Sequence, residues 1–231
     1  ADWGLSAQGV SADQNQTRAA LVAQWLEALE RDYSHPCIVG WCGLNETYEA
    51  HAAHMSALDD LTRAMFLAAK AADATRPVLD TSGYSHRVWE TDIYDAHDYE
   101  QDVEKFRQHH AGLAEGQPYY NGGTVELSLP YAGQPFFVSE FGGAWWNPDA
   151  SEQEDSWGYG ARPRRLEEFM ERFQKLCDIL LDNPKMFGYC YTQLTDVFQE
   201  QNGIFRFDRS PKFDLARLRA IQSRPAAIEQ Q

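Results

Sequence analysis

The chain has 231 residues, enough for one large domain, and its 43% hydrophobic and 24% charged residues are the balance of a packed core rather than of a disordered segment. A formal net charge of −15 excludes a phosphate-tracking surface, because nucleic-acid binding needs clustered cations. Aromatic residues reach 13%, with seven Trp and eleven Tyr, which suits a large core or a surface on which sugar rings stack.

Taken in order, residues 1–15 are polar and irregular. Over residues 16–31, Val22, Trp25, Leu26 and Leu29 recur at helical spacing. The run Cys37-Ile38-Val39-Gly40-Trp41-Cys42 has the β-branched and aromatic content of a buried strand, and it ends on Asn45-Glu46. His54, Leu58, Leu61, Met65, Ala69 and Ala72 mark a second amphipathic helix that stops at Arg76-Pro77. Val78-Leu79-Asp80 is a short strand entering the loop Thr81-Ser82-Gly83. Residues 92–96 form another, ending near His97, Asp98 and Tyr99. A weaker helix over 102–110 leads into a loop holding Gly122-Gly123. Phe136-Phe137-Val138-Ser139 is the next strand and delivers Glu140 at its end. An aromatic, acidic loop (145–163) precedes the clearest helix, built on Leu166, Phe169, Met170, Phe173, Leu176, Cys177 and Leu180. Residues 186–192 are the last strand, followed by Asp196, a turn at Gly203 and a final helix around Leu215, Leu218 and Ile221.

Strands alternating with helices predict parallel βα units, hence an α/β fold. An eight-stranded (β/α) barrel of ~250 residues gives each unit ~30 residues, so five strands read as the later part of a (β/α)8 TIM barrel. Glu46 and Glu140 then stand at the carboxyl ends of strands about three units apart, where barrels carry their chemistry. The expected organisation is one catalytic barrel domain over 1–231, incomplete at its N-terminus. The opening on Ala1-Asp2-Trp3 rather than Met agrees with that expectation. The opening residues do not read as a signal peptide, and no apolar run is long enough to span a membrane. Cys37, Cys42, Cys177 and Cys190 fall mostly in apolar runs without CxxC spacing. Buried free thiols in a reducing, cytoplasmic setting are therefore expected rather than a disulfide framework.

Two carboxyl groups flanking a glycosidic bond hydrolyse it: one protonates the leaving oxygen and the other attacks the anomeric carbon. Asn45-Glu46 and Glu140-Phe141-Gly142 have the residue types and the placement for that pair. The runs RDYSHPCIVGWCGLNE (31–46), RPV with its strand (76–80), TDIYDAHDY (91–99), PFFVSEFGG (135–143) and GYCYTQLTD…QEQNGIFRFDRSPK (188–212) occur in order along nearly the whole chain. In them the sequence resembles glycoside hydrolase family 2, the β-galactosidase and β-glucuronidase family. The resemblance implies a retaining glycosidase acting by double displacement, with Glu46 as general acid/base and Glu140 as nucleophile. It places Asn45 on the sugar 2-hydroxyl, Tyr99 on the nucleophile and His97 along the subsite, although His97 also reads as a strand-end core histidine. Tyr191 falls where the family often has a tryptophan under the sugar. Trp145 and Trp146, just past the nucleophile, are alternative platforms or loop packing.

Family β-glucuronidases carry Asn-x-Lys where this chain has Glu200-Gln201-Asn202. With no cation there and an anion present, a neutral sugar is expected, β-galactoside first and β-glucoside or β-mannoside next. The expected partners are a carbohydrate, the N-terminal remainder of the same polypeptide and possibly further copies of it, with no nucleic acid and no membrane. No cofactor and no metal is expected. His51 and His54 at i,i+3 lack an HExxH pattern, and His109-His110 stand alone. Gly122-Gly123-Thr124 is too short for a phosphate cradle, while Glu152, Glu154 and Asp155 read as a solvated loop face. The alternative from another class is a non-catalytic carbohydrate-binding fragment or relic of such an enzyme.

Overall fold

The computed structural model describes residues 18–47, 57–121, 126–149 and 156–230. The irregular first fifteen residues, the start of the first helix, His51 and His54, Gly122-Gly123-Thr124, and Glu152, Glu154 and Asp155 lie outside them. The chain divides into two compact units, Ala1–Ala96 with Tyr120–Phe136 and His97–Tyr119 with Phe137–Gln231.

The first unit is built on helices α1 (Arg18–Asp32) and α2 (Ala57–Ala72) against strands β1 (Trp41–Cys42) and β2 (Val78–Leu79). The helical periodicities hold in the main, although Leu26 and Ala72 of the expected stripes are exposed. Leu29, Phe66 and Ala69 close over Trp41 and Val78, while Leu58, Leu61 and Met65 pack with Leu44, Leu21, Val22 and Trp25. Burying each large side chain contributes about 1.5–3 kcal/mol. The indoles find polar partners: Trp25 Nε1 donates to the Met65 carbonyl at 3.0 Å and Trp41 Nε1 to Asp73 Oδ2 at 2.8 Å. Asp73 also accepts from the Thr75 hydroxyl and from Arg76, and these donors, Thr75 foremost, hold its carboxyl well below the usual range. Strands β1 and β2 are parallel, with Trp41 opposite Val78 and Cys42 opposite Leu79.

The expected six-residue buried strand is thus corrected to two residues. Val39 is 81% exposed and Cys37 and Cys42 are exposed as well. The reason is one-sided pairing, since β1 pairs only with β2 among the described residues. The thiol expectation is corrected for the same reason. All four cysteines are free, but only Cys177 is buried, and Cys42 and Cys190 lie on the outermost strands of their sheets.

The second unit takes in the end of β3 (Tyr94–Asp98), α3 (Val103–Ala111), β4 (Phe136–Gly142) beyond its first residue, α4 (Leu166–Leu181), β5 (Met186–Thr192) and α5 (Leu215–Gln222). Asp102 caps α3 by accepting the Glu104 and Lys105 N–H groups, and Asp214 caps α5 through the Ala216 N–H. The sheet order is β3-β4-β5. Helix α4 buries Phe169, Met170, Phe173, Leu176, Cys177 and Leu180, the stripe its sequence predicts.

Strand β4 runs two residues past Glu140, so this carboxylate stands inside the strand and not at its end. Phe136 and Val138 are fully buried and so is Phe141, so the alternation of burial shifts by one residue between Val138 and Phe141. That shift leaves both Ser139 and Glu140 partly exposed between buried neighbours. No helix of the described residues is long and apolar enough to cross a membrane.

Candidate active site

In the first unit, Asn45 forms a parallel bridge to Ser82. The Ser82 N–H donates to the Leu44 carbonyl at 2.9 Å, and the Glu46 N–H donates to the Ser82 carbonyl at 2.7 Å. Glu46 is only 8% exposed and holds φ at +51°, a conformation that costs a non-glycine residue on the order of 1–3 kcal/mol and persists where the surroundings fix it. They do so on its other flank too. Thr47 Oγ1 lies 3.1 Å from Thr81 Oγ1 and 2.9 Å from Ser85 Oγ, and the Ser85 hydroxyl donates to the Thr47 carbonyl at 2.8 Å.

In the second unit, Glu140 is 28% exposed at its side chain and Oε2 accepts from the Tyr99 hydroxyl. His97, fully buried, brings Nδ1 to 3.4 Å from the same oxygen. The Tyr99 hydroxyl also lies 3.2 Å from Thr192 Oγ1, and its ring stacks on Tyr159 at 3.6 Å and 7°. Burial and the Glu140 charge push the Tyr99 phenol far above its ordinary range, so it remains a donor to the carboxylate at any working pH. The Glu140 carboxylate is thus partly exposed and held by the Tyr99 phenol, which Thr192 and Tyr159 in turn flank.

The structure therefore brings His97, Tyr99 and Glu140 together. Thr192 and Tyr159 join them without having been singled out in the sequence. Thr192 was findable from strand parity, while Tyr159 sits in the irregular 145–163 loop, where no periodicity marks it. Tyr191 is placed elsewhere. Its ring meets Phe141 at 5.5 Å and Phe173 at 5.1 Å, both edge-to-face, and its hydroxyl is buried. A side chain wedged between two phenylalanines is core packing, not an open sugar platform. Trp145 donates from Nε1 to Ser156 Oγ at 3.2 Å with the Arg162 guanidinium 4.7 Å over its ring, and Trp146 lies 6.2 Å from Phe169.

Glu200 accepts from Asn202 Nδ2 at 3.1 Å, and Asn202 Oδ1 accepts from Gln193 Nε2 at 2.8 Å. The nearby cation Lys212 is committed, donating to Asp196 Oδ1 at 2.5 Å and to the Trp146 carbonyl at 2.8 Å. His109 and His110 both reach Asp98 Oδ2, at 2.8 and 3.1 Å, which ties α3 to β3 rather than presenting ligands to solvent.

Over residues 4–226 the sequence matches the family described as glycosyl hydrolases family 2, TIM barrel domain. The chain belongs to that family. Comparison with curated protein sequences finds no match. Among solved structures, the chain is similar to a β-glucuronidase of an uncultured Clostridium species at 18% identity and a TM-score of 0.62, covering 90% of this chain and 36% of that one. The Faecalibacterium prausnitzii β-glucuronidase gives 19% and 0.62, with 90% and 35% covered. The Dictyoglomus thermophilum β-D-glucuronidase gives 16% and 0.61, with 91% and 36% covered. At these identities the likeness shows the fold. This chain spans about a third of the length of those β-glucuronidases, and among the described residues its sheets are an unclosed part of the family's α/β barrel.

Proposed function

We propose that these residues are the later part of the catalytic barrel of a retaining glycosidase that cleaves β-glycosides by double displacement. In this reading Glu140 attacks the anomeric carbon and Glu46 first protonates the leaving oxygen, then deprotonates the water that releases the sugar. The observation that carries it is the setting of Glu140, whose Oε2 accepts from Tyr99 beside His97 and Thr192. The phenol hydrogen bond fixes the orientation of that carboxylate. Glu46, at 8% exposure, is largely screened from bulk water, which suits a direct proton transfer to the leaving oxygen. Asn45, one residue earlier on the same bridge to Ser82, is the proposed donor to the sugar 2-hydroxyl.

A neutral sugar, with β-galactoside the first choice, is favoured over a uronate. Glu200 would repel a sugar carboxylate, and Lys212 already neutralises Asp196 in a buried pair. The similar solved structures carry the name β-glucuronidase, so aryl β-glucuronides belong beside aryl β-galactosides and β-glucosides in any assay.

The test compares two substitutions in the polypeptide that carries this domain. Glu140→Ala abolishes turnover of every aryl β-glycoside. Glu46→Ala lowers kcat/KM about 10²–10⁴-fold on a poor leaving group, the usual worth of general acid catalysis, and spares kcat/KM for a dinitrophenyl glycoside, whose kcat falls because release of the sugar loses its base. Equal damage from both substitutions on all substrates contradicts these roles.

A further inference from the structure

The first unit holds a second constellation of titratable groups, deeper than Glu46 and outside the reacting pair. His86 lies between two carboxylates, with Nδ1 at 2.8 Å from Asp80 Oδ1 and Nε2 at 3.2 Å from Asp95 Oδ1. All three side chains are at most 2% exposed. The remaining oxygens of both carboxylates are also committed. Asp80 Oδ2 accepts the Arg87 N–H at 2.7 Å, and Asp95 Oδ2 accepts from the Ser82 hydroxyl at 3.0 Å and the Gly83 N–H at 3.1 Å. The imidazole also lies against the Tyr94 ring, centroid to centroid at 3.7 Å.

Two buried carboxylates need a cation, since uncompensated buried charge is costly. Burial opposes the charged imidazole, but Asp80 and Asp95 outweigh it and raise the His86 pKa to about 10. Residues 81–86 are thus gripped at both ends: Asp95 holds Ser82 and Gly83, and Asp80 holds His86. This same segment supports the acid/base residue. Ser82 accepts the Glu46 N–H, and Ser85 bonds Thr47 on the other side.

We propose that the Asp80–His86–Asp95 triad is a positioning device for Glu46, with His86 the residue that holds segment 81–86, and through it the strained Glu46 backbone, in register for proton transfer. This rests on the acid/base role proposed above. His86 acts through Ser82 and Ser85 and does not itself donate the proton. Without its charge, the facing carboxylates repel each other or take up a proton, and the segment shifts. A displacement of about 1 Å at a reacting group can cost on the order of a hundredfold in rate.

The experiment measures kcat/KM of His86→Gln for a dinitrophenyl glycoside and for a methylphenyl glycoside, which differ in their need for the acid. The expected result is a loss at least tenfold larger on the methylphenyl substrate. Equal losses on both, or no loss, overturn the proposal, because a merely structural histidine lowers the active fraction without regard to leaving group. If His86→Gln does not fold, Ser82→Ala decides. It deletes only the hydroxyl tying the segment to Asp95, and the same split in smaller measure is expected, with equal losses again overturning the idea. Glu46→Ala, run alongside, separates the two claims. If it shows no leaving-group dependence, the acid/base assignment has failed, whereas a split there with none in His86→Gln and Ser82→Ala rejects the positioning triad alone.

Discussion

Tyr99 shows how much one hydroxyl carries. It donates to Glu140 Oε2, approaches Thr192 Oγ1 and stacks on Tyr159, so Tyr99→Phe removes the donor and keeps the stacked ring. A hydrogen bond to a charged group contributes about 1.5–3 kcal/mol, which converts to roughly ten- to a hundredfold in rate where the bond orients the nucleophile. The expected outcome is a fall of that size in kcat/KM in a protein that still folds; an unaltered rate excludes Tyr99 from the reacting centre. The grouping of His97, Tyr99 and Glu140 was legible in the sequence because each ends or nearly ends an apolar run, and strand ends in α/β barrels gather at one face. Tyr191 packs with Phe141 and Phe173, whereas its neighbour Thr192 lies beside Tyr99. Strand side chains alternate with period two, so a one-residue slip sends an aromatic to the core and leaves Thr192 beside the tyrosine.

Among elements, the helices were the plainest in sequence. The stripe on α4 fixes its bounds within a few residues, because a 3.6-residue period repeated over several turns is hard to imitate by chance. Strand lengths were less legible. The run before Glu46 is apolar over six positions yet pairs over two, since pairing depends on a neighbour that composition does not reveal. Long-range polar partners were invisible for the same reason. Arg87 is 2% exposed, donates from Nε to Asp59 Oδ1 at 2.8 Å and from Nη1 to the Leu127 carbonyl at 3.2 Å, and so fastens α2 to the segment after β2. Asp59→Ala strands a buried guanidinium, and losing one partner of such a pair costs about 3–5 kcal/mol. Urea unfolding monitored by Trp fluorescence should show that loss as a lower midpoint; a change under about 0.5 kcal/mol contradicts the pair's role.

For the molecule as a whole, the decisive fact is that, among the described residues, both sheets end on strands paired on one side. β1 pairs only with β2 among the described residues, and β5 closes the order β3-β4-β5. Around and beyond β5, Phe187, Leu194, Phe198 and Phe207 are 49–76% exposed. Open strand edges and clustered exposed apolar side chains recruit other chains unless covered. On the proposed reading the cover is the earlier part of the same barrel. Residues 1–231 produced alone are then expected to self-associate on a sizing column and to turn over no aryl glycoside. A soluble monomer whose turnover is abolished by Glu140→Ala would show instead a smaller self-sufficient fold. Strand–helix alternation and the five ordered runs made the fold class readable. The division into two compact units was not, because no change in composition marks Ala96 or Phe136.

The central claim is that Glu140 becomes covalently glycosylated. The most direct measurement incubates the active polypeptide with a 2-deoxy-2-fluoro-β-glycosyl fluoride of the preferred sugar, which slows release of the intermediate, and maps the adduct by peptide mass spectrometry. Double displacement predicts one sugar per chain, attached through an ester to Glu140 and chased off by an acceptor sugar with recovery of activity. An adduct on any other residue, or inactivation with none, would contradict the assignment.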